Sequence, residues 1–183
     1  MTAGESITLR VAQVLEACGI PFLLSGSFAS NYYGIPRSTR DADFVLQSQR
    51  AVGPEFAEEL GADFLLDPQL SFETNTGTFR QVLRHKKKTF KVELFLLSQD
   101  SHDQARFARR RAVQLFERRV WLPSAEDVII TKLRWARGKD KDDARDVMAV
   151  QRAGLDWPYV EEWCRQHGTL RLLQEIRASI SAA

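Results

Sequence analysis

The amino-acid sequence predicts an α+β fold, in which a mixed sheet flanked by helices is followed by a C-terminal helical region. Up to residue 122, short apolar runs typical of strands are interspersed with helical patterns, and from Pro123 onward every pattern has helical spacing. The chain has 183 residues, of which 44% are hydrophobic, so it can bury a substantial core. We expect an α/β core over residues 1–122 and a helical region over residues 123–183 packed on it.

The elements of the first part are predicted from apolar periodicity and from glycines that end helices. Apolar residues recur at helical spacing from Ile7 to Cys18, and Gly19 follows. The predicted elements, in order, are a helix ending at Gly19, a strand at 21–25, a helix at 28–33 closed by Gly34, a strand at 41–46, a helix at 54–60, and short strands near 62–66, 70–73, 78–83 and 89–97.

The second half of the chain is predicted to change from mixed to helical structure. Residues 103–112 look helical, and residues 113–122 look like a last strand or hairpin. Ser124 then provides a helix cap with acids in the first turn that follows it. The further predicted helices cover residues 141–152, 157–166 and 170–180.

Two aspartates one residue apart, Asp41 and Asp43, lead into the second predicted strand. Residues i and i+2 of a strand face the same side, so both carboxylates are expected to point into one site. Two like charges held side by side are unfavourable unless a positive group lies between them. Hard divalent cations prefer oxygen ligands, so this pair is a candidate half of a metal site.

A third carboxylate is available from Glu93, the only acid in the apolar run 92–97. An isolated acid of this kind is usually an exposed strand position, but together with Asp41 and Asp43 it becomes a candidate third ligand. Two metal ions about 3.5–4 Å apart stabilise both the attacking and the leaving oxygen of an in-line transfer to phosphorus.

The dipeptide Gly26-Ser27 follows a predicted strand and begins a predicted helix. Backbone N–H groups and the positive end of the helix then point at one spot, which suits a phosphate. Most Gly-Ser pairs are simple turns. The thirteen-residue spacing from Ser27 to Asp41 is what favours a functional interpretation.

Taken together, the Gly-Ser turn and the Asp-Ala-Asp-Phe run resemble the signature of the nucleotidyltransferase superfamily related to polymerase β. Residues 34–43, Gly-Ile-Pro-Arg-Ser-Thr-Arg-Asp-Ala-Asp, resemble the small bacterial and archaeal nucleotidyltransferases that include the AbiEii-type toxins. Lys132, followed by the Asp-Ala-Arg-Asp run at residues 143–146, agrees with this resemblance. The likeness extends from about residue 21 to residue 150.

The resemblance implies a role for each matching residue. It implies that Asp41, Asp43 and Glu93 are catalytic and bind magnesium, with two ions expected and manganese as a substitute. The nucleotide-binding residues that we expect are Gly26, Ser27, Arg37, Arg40, Lys132, Asp143 and Asp146. Arg37 and Arg40 are included because phosphoryl transfer needs charge neutralisation.

Other interpretations of these residues stay open. The third acid of the family is often aspartate, so the longer Glu93 makes the metal geometry less certain. Asp143 and Asp146 are three residues apart on one predicted helix face and have Arg145 nearby, so both could form purely structural ion pairs. Arg37 and Arg40 could be surface residues.

The charges are segregated along the chain although the formal net charge is only +2. Residues 51–79 contain six acids and no Lys or Arg, residues 84–91 contain five basic residues and no acid, and residues 106–119 contain six arginines and one acid. The two basic segments, 84–91 and 106–119, would suit an RNA or tRNA acceptor. Solvated surface faces are the alternative.

The sequence also indicates the cellular compartment and whether a membrane is a partner. Cys18 and Cys164 have no metal-ligand spacing and are typical of mostly buried thiols in a reducing compartment. The N-terminus lacks the pattern of a signal peptide, and no apolar stretch approaches the roughly 20 residues that span a bilayer. We therefore expect a cytoplasmic protein without a membrane partner.

The leading hypothesis is a magnesium-dependent nucleotidyltransferase that transfers NMP from an NTP, such as ATP, to an acceptor hydroxyl on RNA, tRNA, protein or a small molecule. The resemblance implies one biological setting, the toxin of an AbiEii-like toxin–antitoxin system with an antitoxin protein as partner. Two alternatives are a catalytically inactive nucleotide-binding module of the same fold and a basic RNA-binding protein.

Overall fold

The computed structural model describes residues 1–74 and 76–181. Its helices are α1 (Ala3–Ala17), α2 (Gly26–Tyr33), α3 (Pro54–Leu60), α4 (Ser101–Ala108), α5 (Ala125–Trp135), α6 (Gly138–Gln151), α7 (Trp157–Gln166) and α8 (Leu170–Ser181). Its strands are β1 (Phe22–Leu24), β2 (Asp41–Leu46), β3 (Phe64–Leu66), β4 (Ser71–Glu73), β5 (Thr78–His85), β6 (Lys91–Leu96), β7 (Arg111–Leu115) and β8 (Arg118–Leu122). This order of elements confirms the predicted α+β fold.

The larger sheet has the strand order β1-β2-β6-β5-β3, and β4 also pairs with β5. Strands β2 and β6 are parallel, whereas β1–β2 and β5–β6 are antiparallel, so the sheet is mixed as predicted. The β2–β6 register places Asp43 opposite Glu93 and Asp41 opposite Lys91. Residues paired in this way face the same side of a sheet, so the three predicted acids become neighbours.

Alternation along β2 separates the core from the acidic positions. Ala42, Phe44 and Leu46 are buried in the main apolar cluster, which also contains the inner face of α1. Asp41 and Asp43 face the opposite side of the sheet because side chains alternate along a strand. That second face is covered further along by α4, whose Phe107 joins Val45 in a smaller apolar cluster. The acids thus lie at the end of a face that is otherwise covered.

Helices α5 to α8 form an apolar cluster of their own, which includes Tyr33 of α2. The Tyr33 hydroxyl donates to the carbonyl of Pro123 at 2.9 Å, and the Gln151 side-chain amide donates to the carbonyl of Tyr33 at 2.7 Å. Phe28 of the same helix is buried in the main apolar cluster, so α2 packs against both parts of the chain, and the proposed division at residue 122 stays a prediction. Over the ranges that the structure describes, no helix combines the length and the apolar character needed to cross a membrane.

Three sequence predictions need correction. The helix expected at 103–112 ends at Ala108, because Arg109 closes it and residues 111–115 pair with β8 as a hairpin. Helix α6 begins at Gly138 rather than at residue 141, since Asp140 in its first turn is buried against Lys132. Cys18 is exposed rather than buried, whereas Cys164 is buried.

Candidate functional site

Asp41, Asp43 and Glu93 line one cavity of about 120 Å³, which we call the carboxylate cavity. Neighbouring strands bring these acids together through the β2–β6 register. Gly26, Ser27 and Lys132, which the sequence analysis selected as phosphate-binding residues, line the same cavity. Residues that are far apart in the sequence therefore meet at one site.

The crowded acids alter the protonation of Asp43. The pKa of Asp43 is raised to about 7, most of all by burial and further by the negative charges of Asp41 and Glu93 and a hydrogen bond to Glu93. The positive charge of Lys132 opposes this rise. A divalent cation would relieve this repulsion, and Mg²⁺ prefers the oxygen ligands that all three residues supply. The side chains therefore fit a magnesium site.

The described side chains of the carboxylate cavity have suitable ligand atoms but are not already arranged around a metal position. Within residues 1–74 and 76–181, no three His, Cys, Asp or Glu side chains already stand in the arrangement of a metal cage. Glu93 Oε1 is instead held by Arg80 and Lys91. Asp41 Oδ1 is held by the Thr39 hydroxyl. A metal ion would have to replace part of these contacts, so the acids supply suitable ligand atoms but do not form a closed cage.

Glu93 is buried and is held by two cations that the sequence analysis did not select. Its Oε1 accepts hydrogen bonds from Arg80 Nη1 at 2.8 Å and from Lys91 Nζ at 3.1 Å. These two contacts restrain the longer glutamate side chain, and both use the same carboxylate oxygen. Lys91 could have been found from its i, i+2 spacing on the strand, but Arg80 required the pairing of β5 with β6.

The Gly26-Ser27 turn lies directly against Asp43. The Ser25 N–H donates to the Asp43 carbonyl at 2.7 Å. Gly26 has φ +59°, and a Cβ at this position would lie 2.0 Å from Asp43 Oδ2, so the turn requires glycine. The N-cap residue of α2, Ser25, makes no side-chain capping hydrogen bond. The first N–H groups of α2 are thus available to an anion such as a phosphate.

A buried network of ion pairs holds Lys132 beside this turn. The Lys132 ammonium lies 2.7 Å from Asp143 Oδ2 and 3.2 Å from Asp140 Oδ1. Arg37 donates to both carboxylate oxygens of Asp143, at 2.7 and 2.8 Å, and to Ser27 Oγ at 3.0 Å. Burial alone would raise the pKa of Asp143, but hydrogen bonds from Arg37 and Lys132 outweigh it and lower this pKa to about 2.

Four of the expected nucleotide-binding residues do not line the carboxylate cavity: Arg37, Arg40, Asp143 and Asp146. Arg37 and Asp143 contact its lining residues Ser27 and Lys132. Asp146 is partly exposed, and its Oδ1 lies 3.6 Å from Arg145 Nε. Arg40 is exposed and lines a separate groove. In the described structure the second acid at Lys132 is the fully buried Asp140, one turn before Asp143. Sequence spacing could not distinguish Asp140 from Asp146, because each is three residues from Asp143.

Trp135 completes the wall of the carboxylate cavity. It lies one helical turn after Lys132 on α5, and its ring centroid is 5.7 Å from Lys132 Nζ and 5.4 Å from the guanidinium carbon of Arg137. Other lining residues that the sequence analysis did not select as site residues are Glu73, Thr76, Phe95, Arg137 and Lys139. Cations therefore predominate on the helical side of the cavity and carboxylates on the sheet side.

No family model matches this chain, and no curated protein matches it. Solved structures do match. ANT(2'')-Ia in complex with adenylyl-2''-tobramycin has a TM-score of 0.57 at 13% identity, covering 91% of this chain and 97% of that one. The solution structure of the antibiotic-resistance factor ANT(2'')-Ia has a TM-score of 0.55 at 10% identity, covering 97% and 95%.

A third solved structure agrees with these two. An antigenic nucleotidyltransferase-like protein from Paracoccidioides brasiliensis has a TM-score of 0.54 at 17% identity, covering 100% of this chain and 94% of that one. At such low identities the likeness shows the fold alone. The predicted nucleotidyltransferase-like arrangement, a mixed sheet flanked by helices and followed by a helical region, is confirmed.

The first prediction concerns how much the repulsion between the three acids lowers the free energy of unfolding. In the folded state the pKa of Asp43 is about 7 instead of 3.8, so the stability that this group contributes at low pH is lost as the pH rises from about 4 to about 7. In EDTA at pH 8 we expect Asp43→Asn to stabilise the protein by about 1 kcal/mol or more, raising Tm by roughly 2–4 °C per kcal/mol.

Thermal unfolding at pH 8 and pH 5 checks this prediction, because the gain should shrink at pH 5. The matched control is Asp142→Asn, on an exposed carboxylate whose ion-pair partner among the described residues is the exposed Arg145, at 3.5 Å. A Tm of Asp43→Asn equal to that of the control at both pH values would contradict the proposed repulsion.

The second prediction compares two aspartates of α6 that are three residues apart. Asp143→Asn leaves Lys132 and Arg37 without their shared carboxylate, so we expect a loss of roughly 2–3 kcal/mol, or about 5–10 °C in Tm. Asp146→Asn, which removes only the exposed contact to Arg145, should change stability by less than about 0.5 kcal/mol. Denaturant unfolding of both variants measures the difference, and equal losses would argue against the network.

Proposed function

We propose that this chain is a magnesium-dependent nucleotidyltransferase that transfers a nucleoside monophosphate from an NTP to an acceptor hydroxyl. The observation that carries the proposal is that one cavity combines three carboxylates, a glycine turn at a helix N-terminus and a buried lysine. Phosphoryl transfer requires oxygen ligands for cations, an anion-binding turn and fixed positive charge. The fold of a protein solved with adenylyl-2''-tobramycin supports the same class of reaction.

The triphosphate would lie on the N-terminus of α2, where backbone N–H groups of the Gly26-Ser27 turn and the Ser27 hydroxyl can donate hydrogen bonds. Lys132 supplies a buried positive charge on the opposite wall of the cavity. Asp143 is a positioning residue in this scheme, because it holds Lys132 on one side and Arg37 on the other. Arg37 in turn fixes the Ser27 hydroxyl through a 3.0 Å hydrogen bond.

Asp41, Asp43 and Glu93 would hold two Mg²⁺ ions, with Mn²⁺ as a substitute. When bound, the ions would supply positive charge to the triphosphate and to the reacting oxygens. The acceptor oxygen forms a bond to the α-phosphorus, the bond to the bridging oxygen breaks, and pyrophosphate leaves with the electron pair. The acceptor proton passes to a carboxylate oxygen of Glu93, whose Oε1 is already held by Arg80 and Lys91.

The biological setting that the motif resemblance implies is part of the same proposal. Residues 34–43 and the order of Lys132 and Asp143 support the toxin of an AbiEii-like pair, with an antitoxin as partner and RNA or tRNA among the acceptors. Induced expression in a bacterial host tests this setting. Growth arrest by the native chain, absent in an Asp41→Asn/Asp43→Asn variant expressed at the same level, is the expected result.

One observation favours a second candidate, an inactive nucleotide-binding module of the same fold. Arg80 and Lys91 already neutralise Glu93, so the third acid could be structural. This module would bind NTP and magnesium without turnover, which calorimetry beside a transfer assay distinguishes. The basic RNA-binding protein would instead show salt-sensitive RNA binding that is indifferent to magnesium and to the aspartate pair.

The third prediction tests the transfer itself. Incubation with each α-labelled NTP, Mg²⁺ and total RNA should label a product, and Asp41→Asn/Asp43→Asn should lower that labelling about a thousandfold or more. Asp142→Asn is the matched control because its carboxylate is exposed on α6. Circular dichroism verifies that both variants are folded. Undiminished labelling by the double variant would overturn the mechanism.

The fourth prediction concerns the two cations on Glu93. Arg80→Met removes the 2.8 Å contact to Oε1, so we expect kcat to fall about tenfold or more while the KM for NTP changes little, because Arg80 acts through Glu93. Arg80→Lys should recover part of the loss. Arg165→Met, which removes an exposed arginine on α7, is the control. A large rise in KM with unchanged kcat would show that Arg80 contacts the nucleotide instead.

A further inference from the structure

A second and larger cavity, of about 750 Å³, lies on the other side of the loop that precedes Asp41. Its walls come from the start of α1, from α2, from residues 36–40, from residues 88–90 and from the turn between β7 and β8. We call it the aromatic groove, and we define it by the aromatic and cationic members of its lining, Phe28, Tyr32, Arg40, Lys88, Phe90 and Phe116.

The aromatic groove is where the two basic segments of the sequence meet. Segment 84–91 contributes Lys88 and Phe90, and segment 106–119 contributes Phe116 at the tip of the β7–β8 hairpin. Residues 92–105 separate these segments along the chain. The fold thus brings both segments to one groove, although none of the arginines of segment 106–119 is part of its lining.

The aromatic groove offers ring surface to solvent. Phe28 and Phe90 are buried and form its floor, whereas Tyr32 is 42% exposed and Phe116 is 41% exposed. Exposed aromatic rings beside cations are typical of sites that bind nucleic-acid bases, because every base has a face that can stack on a ring. A volume of several hundred Å³ is also ordinary for a small-molecule site.

The charges around the aromatic groove select an anionic ligand. Arg40 and Lys88 are exposed at its rim. Among the described residues that line it, Glu5 is the one acid, and its Oε2 accepts the Thr2 N–H at 2.6 Å as part of a capping box. Arg37 also lines the groove, although its guanidinium is bound to Asp143. Positive charge is therefore in excess, which suits phosphate groups.

Residues 37–40 form the wall between the aromatic groove and the carboxylate cavity. Thr39 lines the groove, and its hydroxyl donates to Asp41 Oδ1 at 2.9 Å. The carbonyl of Arg40 accepts the Lys91 N–H at 3.3 Å, and Phe90 of the groove precedes Lys91. Arg40 and Phe90, which line the groove, directly precede Asp41 and Lys91 in the sequence.

We propose that the aromatic groove binds a nucleoside phosphate, with the base stacked on Tyr32 and Phe116 and the phosphate at Arg40 and Lys88. In the reaction this nucleoside phosphate is part of the acceptor. Its role as acceptor rests on the proposed function, whereas its binding does not. The nucleoside phosphate could be the end of a single-stranded RNA or a free mononucleotide, and the experiment distinguishes these two sources.

The experiment measures binding of a fluorescein-labelled single-stranded RNA 12-mer by anisotropy in EDTA, where no transfer occurs. We expect Tyr32→Ala/Phe116→Ala to weaken binding about tenfold or more through loss of stacking. Arg40→Glu/Lys88→Glu should weaken it at least as much and should also reduce the salt dependence, because two phosphate contacts are removed. Competition with AMP identifies the source. If AMP displaces the labelled RNA at concentrations similar to those at which unlabelled RNA does, the groove is a mononucleotide site. If AMP fails to displace the RNA, the groove binds an RNA end.

Two matched double variants control for loss of exposed side chains. Phe72→Ala/Phe79→Ala removes an aromatic pair that is 58% and 46% exposed and lies outside the groove. Lys141→Glu/Arg165→Glu reverses two exposed charges on α6 and α7. Both should bind RNA as the native chain does, and thermal unfolding verifies that all four variants are folded. RNA binding that is equal in groove and control variants overturns the proposal.

Two further measurements separate failure of the groove from failure of the proposed function. Asp41→Asn/Asp43→Asn should bind the RNA 12-mer normally in EDTA, and Tyr32→Ala/Phe116→Ala should bind Mg²⁺ and ATP normally in calorimetry. Groove-dependent RNA binding without any transfer would support the site and reject its role as acceptor. Normal transfer to RNA by the groove variants would overturn the role of the groove as the acceptor site. If the groove variants change the oligomeric state but bind RNA normally, the groove is a protein interface, and this result would also overturn the proposal.

Discussion

The arrangement of the site depends on one buried carboxylate, Asp143, that holds two cations from distant parts of the chain. Arg37 follows α2, and Lys132 lies on α5. The pKa of Asp143 is lowered to about 2, so this carboxylate is charged at neutral pH. A buried lysine without its partners would be strongly unfavourable. The same contacts that stabilise the packing of α6 against α2 therefore also fix the position of the positive charge.

On the sheet side of the site, carboxylates are close together without enough positive charge to neutralise them. There the fold brings acids together: the β2–β6 register sets Glu93 beside Asp43, and Gly26 permits a contact with Asp43 that any Cβ would block. Burial and neighbouring charges raise the pKa of Asp43, which destabilises the protein when this group is ionised. Such strain is characteristic of sites that await a ligand, because a structural role alone would favour neutral side chains. Arg80 and Lys91 relieve the repulsion at Glu93 only.

The features that could be predicted from the sequence were those that depend on local spacing. Strand β2 coincides with the predicted 41–46 and α7 with 157–166, since turn residues and periodicity define both. The acids and the glycine turn were likewise selected from spacing and motif resemblance, and the fold places them in one cavity. Arg80 and Asp140 were not selected, because their roles follow from strand pairing and helix packing. Helical spacing treats Asp140 and Asp146 alike, and only burial against Lys132 distinguishes them.

The loop before Asp41 lies between the aromatic groove and the carboxylate cavity. Arg37 lines the aromatic groove, yet its guanidinium is committed to Asp143 and to the Ser27 hydroxyl. An anion in the groove would therefore interact with the same guanidinium that holds the Ser27 hydroxyl of the Gly26-Ser27 turn. Any coupling between the two sites must arise from such a difference in contacts. Because Thr39 lines the groove and its hydroxyl contacts Asp41 at the start of β2, any coupling between the groove and the carboxylate cavity would pass through residues 37–40.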